Sequence, residues 1–181
     1  EAIAMGFDGS LNDDSTVLRG CCMSDGYRFT IGMWEKPAGP AGIGWEVPRL
    51  EVLEKARWAL RTYKVARSYW DPHEWRSDID LLAKEVNPPD DPQSAIVIPW
   101  ATSRDVAMGA ALDRLAADMR NGETFHEDDP RAREHYGNAY LARRGKLRLV
   151  RKEYPNSSRK IDTVPTDALA YEARADALAA G

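Results

Sequence analysis

The sequence predicts an α/β domain built on one mixed sheet, an antiparallel meander continued by helix-separated parallel strands, with helices on its faces. Two observations lead there. Three short apolar runs at the start of the chain are separated by the turn-forming segments Gly9 to Asp14 and Ser24-Asp25-Gly26. From Pro48 onward, apolar residues at helical spacing alternate with short strand-like runs. With 181 residues, 43% of them hydrophobic and 30% charged, the chain suffices for one domain over 1–181 with a substantial core.

Taken in order, Ala2 to Asp8, Ser15 to Met23 and Tyr27 to Trp34 read as the meander. A Pro/Gly-rich loop runs from Lys36 to Gly44. Pro48 then opens a helix reaching about Thr62, with Leu50, Leu53, Ala56, Leu60 and Tyr63 at helical spacing. A strand from Val65 to Trp70, a helix from about Glu74 to Lys84, a loop from Asn87 to Pro92 and a strand from Ala95 to Ile98 give β-α-β alternation. The helix from about Arg104 to Arg120 carries Val106, Ala110, Leu112, Leu115 and Met119. Another starts near Pro130, which suits a first helical position after Asp128 and Asp129. Lys146, Arg148 and Lys152 fall on a hairpin after Gly145, and the last helix runs from about Thr163 towards Ala179. A meander followed by helix-separated strands is the order of ribonuclease H-like folds, although fold order alone assigns no function.

No apolar run approaches the roughly 20 residues of a membrane span, and the first residues lack a signal-peptide pattern, so a cytoplasmic protein is expected. Cys21 and Cys22 are adjacent and on a strand point to opposite faces, as free thiols would. His73, His126 and His135 follow no zinc-finger spacing, so any metal should be held by oxygen. The net charge of −4 hides an uneven distribution. Arg143, Arg144, Lys146, Arg148, Arg151, Lys152, Arg159 and Lys160 stand against the single acid Glu153, a stripe able to neutralise phosphates.

Three carboxylates suit a hard cation. Asp8 ends an apolar strand, where rigid backbone would hold it at the sheet's edge cleft, although an Asp there also starts turns. Asp71 stops the strand ending at Trp70 and is kept extended by Pro72; it could instead cap the helix near Glu74. Asp162 precedes the last helix, where capping and ligation can coexist, and Asp167 would face nearly the opposite side of that helix. Asp13 and Asp14 belong to a polar turn and could extend the site. His126 with Glu127, Asp128 and Asp129 reads as a solvated cap with a lesser chance of facing DNA or metal. The six tryptophans are scattered over different elements and read as packing residues.

Gly6-Phe7-Asp8-Gly9-Ser10 followed by Asp14-Ser15-Thr16, Trp45-Glu46-Val47-Pro48-Arg49, Asp71-Pro72 with Trp75, and Arg159-Lys160-Ile161-Asp162 leading into Ala170-Tyr171-Glu172-Ala173-Arg174 together resemble the nuclease domain of actinobacteriophage terminase large subunits, over nearly the whole chain. The resemblance implies a ribonuclease H-like fold and cleavage of concatemeric viral double-stranded DNA during genome packaging in the host cytoplasm. It also implies two Mg2+ or Mn2+ ions held by Asp8, Asp71 and Asp162, which fall on the family's acidic positions. Lys146, Arg148, Lys152, Arg159 and Lys160 are the expected DNA contacts, with the portal protein and small terminase subunit as partners of the intact protein and no membrane involved. The sequence departs from the family where Thr163-Val164-Pro165-Thr166-Asp167 replaces an alanine-rich segment. It also lacks the Gly-x-x-x-x-Gly-Lys-Ser/Thr loop of the packaging ATPase, and with no methionine at Glu1 it reads as an excised C-terminal domain. The alternatives are a non-catalytic module docking on DNA or the portal, and another nuclease of the same fold, such as a junction resolvase.

Overall fold

The run from Ala2 to Asp8 forms a strand, β1, whose side chains are buried on both faces, as expected of a strand near the middle of a sheet covered on two sides. A computed structural model describes residues 1–155 and 157–181. β2 (Thr16–Cys22) pairs antiparallel with β1, and β3 (Arg28–Trp34) pairs antiparallel with β2. After a short 3-10 turn at Gly39–Gly42 and helix α1 (Arg49–Thr62), β4 (Lys64–Trp70) returns parallel to β1 on its other side. Helix α2 (Arg76–Val86) leads to β5 (Val97–Pro99), parallel to β4. The sheet order is β3-β2-β1-β4-β5, so β1 is the central strand. The mixed sheet flanked by helices is the fold that the sequence predicts.

Helices α3 (Asp105–Asn121) and α4 (Pro130–Asn138) follow, then a separate hairpin of β6 (Tyr140–Arg144) and β7 (Leu147–Arg151), and finally α5 (Thr163–Ala180). Gly145 sits in the hairpin's turn with φ 61°, between β6 and β7 rather than ahead of the hairpin. α2 begins two residues later than expected because Asp71, Pro72 and the left-handed Glu74, at φ 59°, occupy a turn first. β5 begins later because a 3-10 turn at Pro92–Ser94 holds Ala95, whose N–H goes to the Pro92 carbonyl, and the Asn87 side chain then takes the N–H groups of Ile96 and Val97.

Period-two alternation divides the core. Ile3, Met5 and Phe7 join Leu18, Trp70, Trp75, Ile79 and Val52 on the face covered by α1 and α2. Ala4 joins Cys21, Tyr69, Leu112, Leu115 and Leu169 on the face covered by α3 and α5. Both cysteines are free, and burial pushes the Cys21 thiol up to about 12. Trp70, Trp75 and Trp100 are buried. Among the described residues, no helix is long and apolar enough to cross a membrane.

Gly6 sets how near α5 lies to β1. A β-carbon there would stand 2.6 Å from the backbone nitrogen of Ala170 and closer still to the Thr166 carbonyl oxygen, so neither neighbour could yield without moving the helix. Gly6→Ala is expected to lose about 3 kcal/mol, the upper range for overpacking, with a matching fall in urea midpoint; an unchanged midpoint would show that the helix can retreat freely.

Candidate active site

β1 and β4 are parallel neighbours in register Phe7 to Trp70, and the Asp71 N–H extends the ladder to the Phe7 carbonyl at 2.9 Å. Asp8 and Asp71 therefore leave the same end of the sheet side by side. By alternation Asp8 follows Ala4 and Gly6 onto the α5 face, and Asp71, extended before Pro72, follows Tyr69. The third carboxylate arrives from α5. Thr166 lies over Gly6, and one helical turn back towards the N-terminus, about 5.4 Å, matches two strand residues, about 6.6 Å, so Asp162 comes level with Asp8. The absent β-carbon at Gly6 thus brings the third acid to the first.

The three border one cavity of about 560 Å³, lined also by Gly9, Ser10, Asp14, Ser15, His73, Glu74, Thr102 and Ser103. Asp71 is 6% exposed; its Oδ1 accepts the His73 N–H at 3.2 Å and its Oδ2 the Thr102 hydroxyl. Asp162 Oδ2 accepts the Ser15 N–H at 3.2 Å. Neither acid caps a helix: α2 is entered through Trp75, and Asp162, although at the N-cap position of α5, makes no capping bond. Burial raises the Asp8 carboxyl well above its ordinary range, with further pushes from Asp162, Asp71 and Asp14, and burial and Asp14 likewise raise Asp162. Among the described residues, no three His, Cys, Asp or Glu side chains already stand close enough to cage an ion. The donor set is nonetheless chemically suited to a hard divalent cation, being all oxygen and under a mutual repulsion that a cation would relieve.

The basic stripe divides. Lys152 Nζ bonds Asp14 Oδ1 and, at 3.3 Å, the Ser157 carbonyl, while Lys160 Nζ lies 3.6 Å from Asp14 Oδ1. With Lys36 they line a second cavity of about 720 Å³ that shares Asp14 with the first. Arg148 pairs with Asp113 at 2.7 Å, Lys146 stands at the hairpin turn beside it, and Arg159 faces Glu153 at 3.7 Å. These three lie outside the residues that line the two cavities.

The remaining candidates have structural partners. Asp13 pairs with Lys36, Asp129 caps α4 by accepting the Arg131 N–H, and His126 stacks on Tyr136. Glu127 holds Arg19 at 2.8 Å. Asp167 is fully buried, with Oδ1 2.6 Å from Arg19 Nε and Oδ2 2.8 Å from both Arg28 Nη1 and the Tyr136 hydroxyl. Sequence reasoning gave Thr102 and Ser15 no role. Thr102 carried one usable signal, a hydroxyl just beyond the strand that lies beside Asp71's own. For Ser15 the only hint was its place in the quoted Asp14-Ser15-Thr16 motif.

No protein-family profile matches the chain. It is 31% identical over 183 residues to the Gene 13 protein of Mycobacterium phage L5 and 30% identical to that of Mycobacterium phage D29, covering 98% of this chain in each comparison. It spans 30% of the length of those relatives. Among solved structures it resembles the HK97 bacteriophage large terminase, with TM-score 0.69 and 18% identity over 94% of this chain and 39% of that one. It also resembles the large terminase nuclease of thermophilic phage G20c, with TM-score 0.63 and 19% identity over 94% and 81% of the two chains. The magnesium-bound form of that nuclease gives TM-score 0.57 and 15% identity over 94% and 80%.

Proposed function

We infer, from a fold that this chain shares with the nuclease domains of phage large terminases, that it is a divalent-metal-dependent endonuclease domain that cuts concatemeric viral double-stranded DNA during genome packaging. The observation that carries this reading is the meeting of Asp8, Asp71 and Asp162 at one cavity, from two adjacent parallel strand ends and one helix start. The magnesium-bound neighbour supports the choice of cation.

In this reading Asp8, Asp71 and Asp162 hold two Mg2+ or Mn2+ ions. Bound there, the ions would polarise the scissile phosphate and lower the pKa of an attacking water. The chain's own residues do the rest. Thr102 and the His73 N–H orient Asp71, and the Ser15 N–H orients Asp162. Lys152 and Lys160, beside Asp14, meet the DNA backbone next to the cut, while Lys146, Arg148 and Arg159 meet it farther away, adding affinity that weakens with salt. The single domain over 1–181 acts as the cutting part of a packaging motor. The portal protein and small terminase subunit are partners of the intact protein.

Supercoiled plasmid should be nicked and linearised in magnesium or manganese and left untouched in excess chelator. Absence of cleavage in both metals, together with no heat of divalent-ion binding, would favour a non-catalytic module that docks on DNA or the portal. Preferential cutting of four-way junctions would favour a resolvase.

A further inference from the structure

Asp162 occupies the N-cap position of α5, yet its side chain accepts nothing from that helix. The first N–H groups of a helix need acceptors from elsewhere. The Thr163 N–H finds one in Nδ1 of His135, 3.2 Å away on α4, and the Thr163 hydroxyl lies 2.8 Å from the same nitrogen. His135 is 2% exposed, so no solvent competes for that nitrogen. A ring nitrogen that receives a backbone N–H carries no hydrogen of its own, which puts the imidazole proton on Nε2. Nε2 donates to Glu35 Oε1 at 2.8 Å. The Ser15 hydroxyl donates to that same oxygen at 2.9 Å, and the Ser15 N–H donates to Asp162 Oδ2 at 3.2 Å. The bonds from His135 and Ser15 hold the Glu35 carboxyl below its ordinary range, keeping it an acceptor for both.

These contacts close a ring: Asp162 to Ser15, Ser15 to Glu35, Glu35 to His135, His135 to Thr163, and Thr163 back to Asp162 along the chain. Four segments distant in sequence contribute: the residue before β2, the residue after β3, α4 and α5. None of the bonds between them is local. The ring does two things at once. His135 takes the first N–H of α5, next to Asp162, and Glu35 fixes the serine whose N–H holds one Asp162 oxygen, which leaves the other for the cavity.

We propose that His135 is a positioning residue for the cation site: with its proton on Nε2 it accepts the first N–H of α5 and, through Glu35 and Ser15, holds the Asp162 carboxylate on the cavity. The proposal rests on the reading of that cavity as a divalent-cation site. Groups that orient a metal ligand through one hydrogen bond typically change affinity by about 10- to 100-fold when removed.

Two variants separate the halves of the imidazole. His135→Gln can still reach Glu35 but loses the acceptor for Thr163, whereas His135→Asn places an amide oxygen where Nδ1 stood. With folding of each checked by thermal melting, calorimetry with Mn2+ alone should show affinity falling by about tenfold or more in both variants, because each breaks the ring at one of its two imidazole bonds. Nitrogen NMR of the metal-free parent should show Nδ1 bare and Nε2 protonated, a readout that needs neither a variant nor catalysis. A proton on Nδ1, or a folded His135→Gln that binds Mn2+ as tightly as the parent, overturns the positioning role and leaves the cation site standing. A parent that binds no Mn2+ overturns the cation site itself and the positioning role with it.

Discussion

Replacing Asp8 with asparagine is expected to slow plasmid cleavage in magnesium by about 1000-fold or more and, in chelator, to raise the melting temperature. The first effect follows from the chemistry: ligated cations contribute several kcal/mol of transition-state stabilisation, and each 1.36 kcal/mol is tenfold in rate. The second follows from electrostatics. Asp8 is desolvated and faces Asp162, Asp71 and Asp14, so without a cation its charge opposes folding. Its folded-state pKa lies above its unfolded one, so its contribution to stability is fully present below the unfolded value and is lost as pH rises through the folded value. The metal-free parent should therefore lose stability as pH rises out of the acid range, and Asp8→Asn should flatten that slope. Cleavage by the variant at the parent rate would remove Asp8 from the reaction. A lower melting temperature for the variant in chelator would mean that Asp8 supports the fold.

Asp167→Asn should produce the largest loss of stability, about 3–5 kcal/mol, or roughly 10 °C for a chain of this length. The carboxylate is fully buried between Arg19 and Arg28, whose side chains are 1% and 0% exposed. An amide of the same shape leaves two buried guanidiniums with one charge partner among the described residues, Glu127, which reaches only Arg19. Among the described residues Arg28 already has one Nη without a hydrogen-bond partner, so it has no spare bond to fall back on. A melting temperature within about 2 °C of the parent would show that Tyr136 and Glu127 suffice. Because Asp167 ties α5 to β2 and β3, part of the loss should also appear as weaker cation binding at Asp162.

The two aspartates differ in how they could be read from sequence. Asp8 was legible because a continuous apolar run ends on it, and Asp71 because Pro72 forbids a helical continuation; both signals are local. Helical geometry turns Asp167 away from the other acids, and the structure supplies the reason for its burial in Arg19 and Arg28, more than a hundred residues away. The ring through Ser15, Glu35, His135 and Thr163 was invisible for the same reason. Each residue alone is an ordinary polar side chain, and the His135 to Glu35 bond spans 100 positions. The basic stripe shows a third case. Its composition was plain, but the placing of Lys152 and Lys160 beside Asp14, with Arg148 turned to Asp113, depends on how the hairpin and the segment after it pack.

By itself, the sequence determined the order of strands and helices, the mixed sheet and the strand-end acids, because apolar periodicity, proline and glycine act over a few residues. Only the tertiary structure decided what surrounds those acids. Gly6 admits α5 close against β1, which brings Asp162 level with Asp8, and a histidine from another helix accepts the first N–H of α5. The physical reason is that a hydrogen bond or close packing contact depends on separation in space, and the closed chain brings together groups whose spacing in sequence carries no trace of it.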